Sequence, residues 1–65
     1  MNIGPRIKSI RRAAHWSQTQ CAERIGMSQS QWAQIEGGLY NDITLGTLDR
    51  IAAALRCSIG DLIAA

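Results

Sequence analysis

Apolar residues in this chain recur every three or four positions and never alternate over the length of a strand, so every patterned segment reads as helix. The first predicted helix spans Gly4 to Ala14. Pro5 suits its first turn, where a missing N–H costs nothing. Ile3, Ile7, Ile10 and Ala14 share one face and are expected in the core. His15 follows as the stop, because His tolerates a left-handed backbone. A second helix runs from Gln18 to Ile25 behind a Ser17 cap, with Cys21, Ala22 and Ile25 inward. Gly26 supplies the positive φ of a sharp turn. A third runs from Gln29 to Glu36 behind Ser28, with Trp32 and Ile35 inward and Met27 packing just before the cap. Gly37-Gly38 ends it, and Asn41-Asp42 form turns in the loop Leu39 to Ile43. A fourth runs from Leu45 to Leu55 behind Thr44, carrying the stripe Leu45, Leu48, Ile51, Ala52 and Leu55. A fifth, Ile59 to Ala64, follows Ser58, with Asp61 at its third position. Its Ile59, Leu62 and Ile63 are more apolar groups than so short a helix buries alone, so they either close the core or meet a partner chain.

Sixty-five residues make one domain, 1–65, and the expected class is all-α: a compact five-helix bundle. An apolar share of 46% argues against disorder. No apolar run is long enough for a membrane span, and MNIGPRIKSIRR has no signal-peptide centre, so a cytoplasmic location is expected. Cys21 and Cys57 have no Cys or His at ligand spacing, so neither metal nor cofactor is expected, and Cys21 reads as a small core residue. The net charge is only +2, yet Arg6, Lys8, Arg11 and Arg12, four of the seven basic residues, crowd the first helix. Such a cluster either seats on phosphates or is a solvated face.

The chemistry that changes the picture is amide. All five glutamines lie between Gln18 and Gln34, in the second and third helices. Glutamine both donates and accepts, and it can pair bidentately with the N6/N7 edge of adenine in the major groove. Two capped helices with a tight turn between them, the second rich in amides, describe a helix-turn-helix. Gln20 and Gln31 stand three residues beyond Ser17 and Ser28, the spacing of a capping box, so capping competes with any base contact. Gln18 and Gln29 sit at first helical positions with nothing local to bond. Gln29, Ser30, Ala33 and Gln34 lie opposite Trp32 and Ile35, an outward face free of charge, where a solvated helix more often carries Lys and Glu.

Arg11 falls four residues after Ile7, on or beside the inner face of the first helix. A buried arginine needs a partner. Glu36, at the end of the third helix, is the best candidate; the alternative is two independent surface charges.

On the segments IKSIRRAA, WSQTQCAERIGMSQSQWAQIEGG and TLGTLDRIAAALRCSIGDLI, the chain resembles the lambda-repressor-like, Xre-type helix-turn-helix domains, over about Ile3 to Ile63. The resemblance implies a recognition helix, the third, in the major groove. It makes Gln29 similar to an adenine-reading amide and Gln18 to an amide that binds phosphate and steadies Gln29. Ser30, Gln31 and Gln34 fall at further base-edge positions. Arg11 and Glu36 match a buried ion pair. The backbone-touching loop maps to Gly38 through Asn41. That loop is often basic, but here LYNDI has no Lys or Arg, which leaves Tyr40, Asn41 and backbone N–H groups to meet phosphate. Trp16 and Trp32 replace aliphatic residues and read as core. Arg56 stands where a glycine stop is common.

The expected function is a sequence-specific DNA-binding regulator, a repressor acting as a homodimer on a palindromic operator in double-stranded DNA, with Arg12 on phosphate and Ile59, Leu62 and Ile63 at the dimer interface. The rival is a protein-interaction module, such as the antitoxin of a toxin–antitoxin pair. An enzyme is the poorest fit: His15 sits at a helix stop, and no phosphate-cradling loop or small-molecule site is evident.

Overall fold

The structure, a computed structural model, describes residues 3–38 and 43–63. Five helices follow in order: α1 (Gly4–Ala13), α2 (Gln18–Arg24), α3 (Gln29–Glu36), α4 (Leu45–Leu55) and α5 (Ile59–Ile63). The described residues contain no strand. The loop residues Leu39 to Asp42, with the turn expected at Asn41-Asp42, lie outside the described residues, as does the expected last residue of α5, Ala64.

Local chemistry sets the helix ends. Ser17, Ser28 and Thr44 each accept the backbone N–H of the third helical residue. Ser58 does the same for Asp61, whose carboxylate accepts the Ser58 N–H in return. The exits of α1, α2 and α4 share one device. Trp16 N–H bonds to Arg11 C=O while His15 bonds to Arg12; Met27 bonds to Ala22 while Gly26 bonds to Glu23; Cys57 bonds to Ala52 while Arg56 bonds to Ala53. This is the Schellman pattern, with its left-handed residue at His15 (φ 62°), Gly26 (φ 69°) and Arg56 (φ 56°). Glycine is absent from two of the three, so there the tertiary fold holds an L-residue in that region.

Packing joins α2 to α3 and α4, α1 to α3 and α5, and α4 to α5. Trp32, Ile7, Ile51, Leu62 and Cys21 are the largest side chains fully inside. Trp16, Ile10 and Met27 pack against this core partly buried. Two core expectations fail. Ala14 is exposed, because it follows the last turn of α1 and the chain has begun to leave the helix. Leu45 is 74% exposed. Helical side chains lean toward the N-terminus, so a first-turn residue leans off the end of α4 instead of onto its neighbours.

Gly4 sets the approach of α1 to α3. A Cβ there would stand 2.6 Å from the carbonyl oxygens of both Ile35 and Glu36. The start of α1 therefore sits directly on the end of α3, a fit open only to glycine. Three arginines brace other helix pairs. Arg24 Nη1 donates to Ala54 C=O at 3.2 Å, from α2 to α4, and Arg50 donates back to Ile25 C=O. Arg6 Nε donates to Asp61 C=O at 2.9 Å, from α1 to α5. The Arg24 guanidinium also lies 4.3 Å from the centroid of the Trp16 ring, a cation–π contact.

Candidate nucleic-acid interface

The two helices of the turn meet through their amide-rich starts. Ser28 accepts the Gln31 N–H at 3.1 Å, and Gln31 Oε1 accepts the Ser28 N–H at 3.2 Å. Ser17 and Gln20 repeat the exchange at 3.0 and 2.8 Å. The side-chain oxygens of Gln20 and Gln31 are thus engaged in capping. Gln29, Ser30, Gln31 and Gln34 are all exposed on α3, while Ala33 is half-buried.

Beneath this face lies a buried polar centre. Arg11 and Glu36 are both buried, with Arg11 Nε 2.5 Å from Glu36 Oε2 and Nη2 3.1 Å from Oε1. Arg11 Nη1 also donates to Trp16 C=O at 2.7 Å. The Trp32 indole N–H donates to Glu36 Oε2. Gln18 Nε2 donates to Glu36 Oε1 at 3.0 Å, and Gln29 Nε2 donates to Gln18 Oε1 at 3.4 Å. Burial pushes the Glu36 carboxyl up, but the bonds from Arg11, Gln18 and Trp32, with the Arg11 charge, outweigh it and hold the group below the usual carboxylate range. The same bond from Glu36 raises Arg11 further. Among the described residues, no buried side-chain polar atom lacks a partner.

The other expected site residues separate. Arg12 is exposed on α1 beside Pro5, Lys8 and Ser9. The basic cluster around it divides: Arg11 is buried on Glu36 and the exposed Arg6 donates to Asp61 C=O, while the Lys8 and Arg12 side chains make no hydrogen bond or ion pair to another described residue. Tyr40 and Asn41 lie outside the described residues. Leu62 is only 1% exposed and closes the protein's own core, so it is not available to a dimer partner. Ile59 is half-buried and Ile63 is 41% exposed. Sequence reasoning did not single out Gly4, the Trp32 indole or the Arg6, Arg24 and Arg50 braces. For Gly4, the signal available was a glycine at the start of a helix that must cross another closely.

Burial raises both thiols, Cys21 and Cys57, and neither is in a disulfide. Among the described residues, no group of three or more His, Cys, Asp or Glu could hold a metal ion, and no helix is long and apolar enough to cross a membrane.

Comparison with known proteins agrees with this geometry. The family model of the Cro/C1-type HTH DNA-binding domain matches residues 6–65. The immunity repressor protein of Bacillus phage phi105 is 38% identical over 63 residues, which cover 97% of this chain. The chain spans only 43% of that repressor's length. The structure of SinR, a master regulator for biofilm formation, in complex with DNA superimposes with a TM-score of 0.85 at 31% identity, over 94% of this chain and 97% of that one. The restriction-modification controller protein C.AhdI from Aeromonas hydrophila gives 0.88 at 26% identity, over 95% and 92%.

Proposed function

The chain belongs to the Cro/C1-type HTH DNA-binding domain family, and from that premise we propose that it is a sequence-specific transcriptional regulator, a repressor that lays α3 in the major groove of its operator. The observation that carries this reading is the outer face of α3. Gln29, Ser30 and Gln34 stand exposed on a helix whose inner face is locked by Trp32, Ile35 and Glu36. A rigid helix presenting amides is what direct reading of base edges requires.

In this reading Gln29 reads adenine, and Ser30, Gln31 and Gln34 meet neighbouring edges. Gln18 and Arg12 meet phosphate, with Tyr40 and Asn41 in the following loop. Arg11 is buried on Glu36, and Arg6, Arg24 and Arg50, though exposed, each direct a donor to a carbonyl of the protein itself, so few cations are wholly free to meet phosphate. One subunit therefore binds weakly, and a homodimer on a palindrome supplies the affinity, with half-sites about 34 Å apart. Ile63 and the exposed part of Ile59 are the candidate dimer contacts. The work is binding and occupancy, with no catalytic step.

Selection of bound sequences from a random duplex pool tests site, symmetry and spacing together. Gln29→Ala should then weaken binding to the selected operator by about 1–3 kcal/mol and relax the preference at one base pair, with the fold intact. Unchanged operator affinity in a mobility-shift assay would refute the assignment. Arg12→Ala should weaken all sequences alike and flatten the salt dependence.

A further inference from the structure

We propose that Glu36, acting through Gln18, determines which way round the Gln29 amide faces DNA, so that the buried ion pair also sets base preference. This rests on the reading of α3 as the base-contacting helix.

The argument is one of hydrogen-bond polarity. A carboxylate only accepts. Glu36 Oε2 takes Arg11 Nε and the Trp32 indole; Oε1 takes Arg11 Nη2 and Gln18 Nε2. Arg11 is pinned in turn to Trp16 C=O. Held by Arg11 on one side and Trp32 on the other, the carboxylate keeps Oε1 toward Gln18. Gln18 must then turn its NH₂ inward, since the reverse would set two acceptors against each other. Its Oε1 is left facing Gln29, and there it accepts from Gln29 Nε2 at 3.4 Å. Gln29 keeps one N–H and its own Oε1 for a base. The order of donor and acceptor along the DNA edge follows from a carboxylate two amides away.

Adenine presents an acceptor at N7 and a donor at N6, the complement of that pair. An edge with the reverse order needs a flipped Gln29, whose oxygen would oppose the oxygen of Gln18. The bias is worth one net hydrogen bond, about fivefold in preference. Arg11, Trp32, Glu36 and Gln18 are in this sense positioning residues.

Operator duplexes carrying each of the four base pairs at the position read by Gln29 provide the test; that position is the one whose preference Gln29→Ala abolishes. Gln18→Met severs the relay at its middle link without touching the ion pair. It should narrow the preference at that base pair about fivefold and leave the ratios at other positions unchanged. Loss of a phosphate contact alone would weaken every duplex alike and move no ratio. A folded Gln18→Met with wild-type ratios overturns the proposal. Side-chain amide resonances of the free protein give a second measure. Trp32→Phe should displace those of Gln29 in the wild-type background and not in Gln18→Met; equal displacement in both backgrounds, or none, overturns the relay. If Gln29→Ala abolishes no preference at any position, the base-contact reading fails and this proposal with it, whatever the resonances show of the relay itself.

Discussion

The two helices of the turn begin almost alike, with Ser17-Gln18-Thr19-Gln20 in α2 and Ser28-Gln29-Ser30-Gln31 in α3. Their local outcome is the same. Each serine and its third-position glutamine form a reciprocal capping box with bonds near 3 Å. Their first-position glutamines differ. Gln18 is half-buried and donates to Glu36, whereas Gln29 is exposed and leans on Gln18. A cap is a property of four consecutive residues. The direction of the next side chain depends on what the fold brings beneath it, here a carboxylate 18 positions downstream.

The largest effect expected from disturbing that difference comes from the charge beneath Gln18. Arg11→Met leaves a buried carboxylate without its counter-charge and should cost about 3–5 kcal/mol in a denaturant melt. Glu36→Gln should also destabilise, and the double variant should cost less than the two losses added. Strict additivity would show two independent charges and remove the anchor of Gln18.

Acid approaches the same bond from another side. The folded pKa of Glu36 lies below its unfolded value, so its stabilisation is complete above about pH 4.3 and is lost as pH falls through the lower folded value. Wild type should lose melting temperature more steeply than Glu36→Gln on acidification below about pH 4. Asp61, also lowered by its bonds to Ser58, contributes to both proteins alike and drops out of the difference. Parallel curves would show that Glu36 carries no special stabilisation.

Gly4→Ala should cost about 1–3 kcal/mol, because the new Cβ collides with two backbone carbonyls and α1 must move. That shift carries Arg11 away from the Glu36 carboxylate that holds Gln18, so the amide resonances of Gln18 should move with the loss of stability. A fully stable Gly4→Ala would show that α1 and α3 have slack between them.

The smallest effects test the similarity of the two starts. Ser17→Ala and Ser28→Ala should each cost about 1 kcal/mol in a thermal melt, and the two losses should agree within a few tenths. Unequal losses would mean that tertiary context reaches the caps as well as the first-position glutamines.

How much is legible in sequence follows the distance over which each feature is satisfied. The caps at Ser17, Ser28, Thr44 and Ser58 close within four residues, and the turn at Gly26 within six. All can be read from the chain. The stripe of α4 is legible except at Leu45, where periodicity says nothing about where neighbouring helices stop. The basic cluster of α1 reads as one patch, but Arg11 is buried against Glu36, and Arg6, though exposed, is tied to the Asp61 C=O. Long side chains reach carbonyls and carboxylates on other helices, and no local spacing announces that. The same holds for Arg24 and Arg50, which exchange bonds between α2 and α4. Leu62 and Ile63 are adjacent and equally apolar, and only the docking of α5 decides that the first closes the core and the second stays partly exposed.

Sequence by itself determined five helices, their caps and stops, and an uncharged amide face on the third, because each of these is settled by neighbours within a turn or two of helix. Only the tertiary structure decided which cations remain outside, which glutamine turns inward, and how closely α1 can rest on α3. Those outcomes depend on groups far apart in the chain, brought together by burial of a shared core.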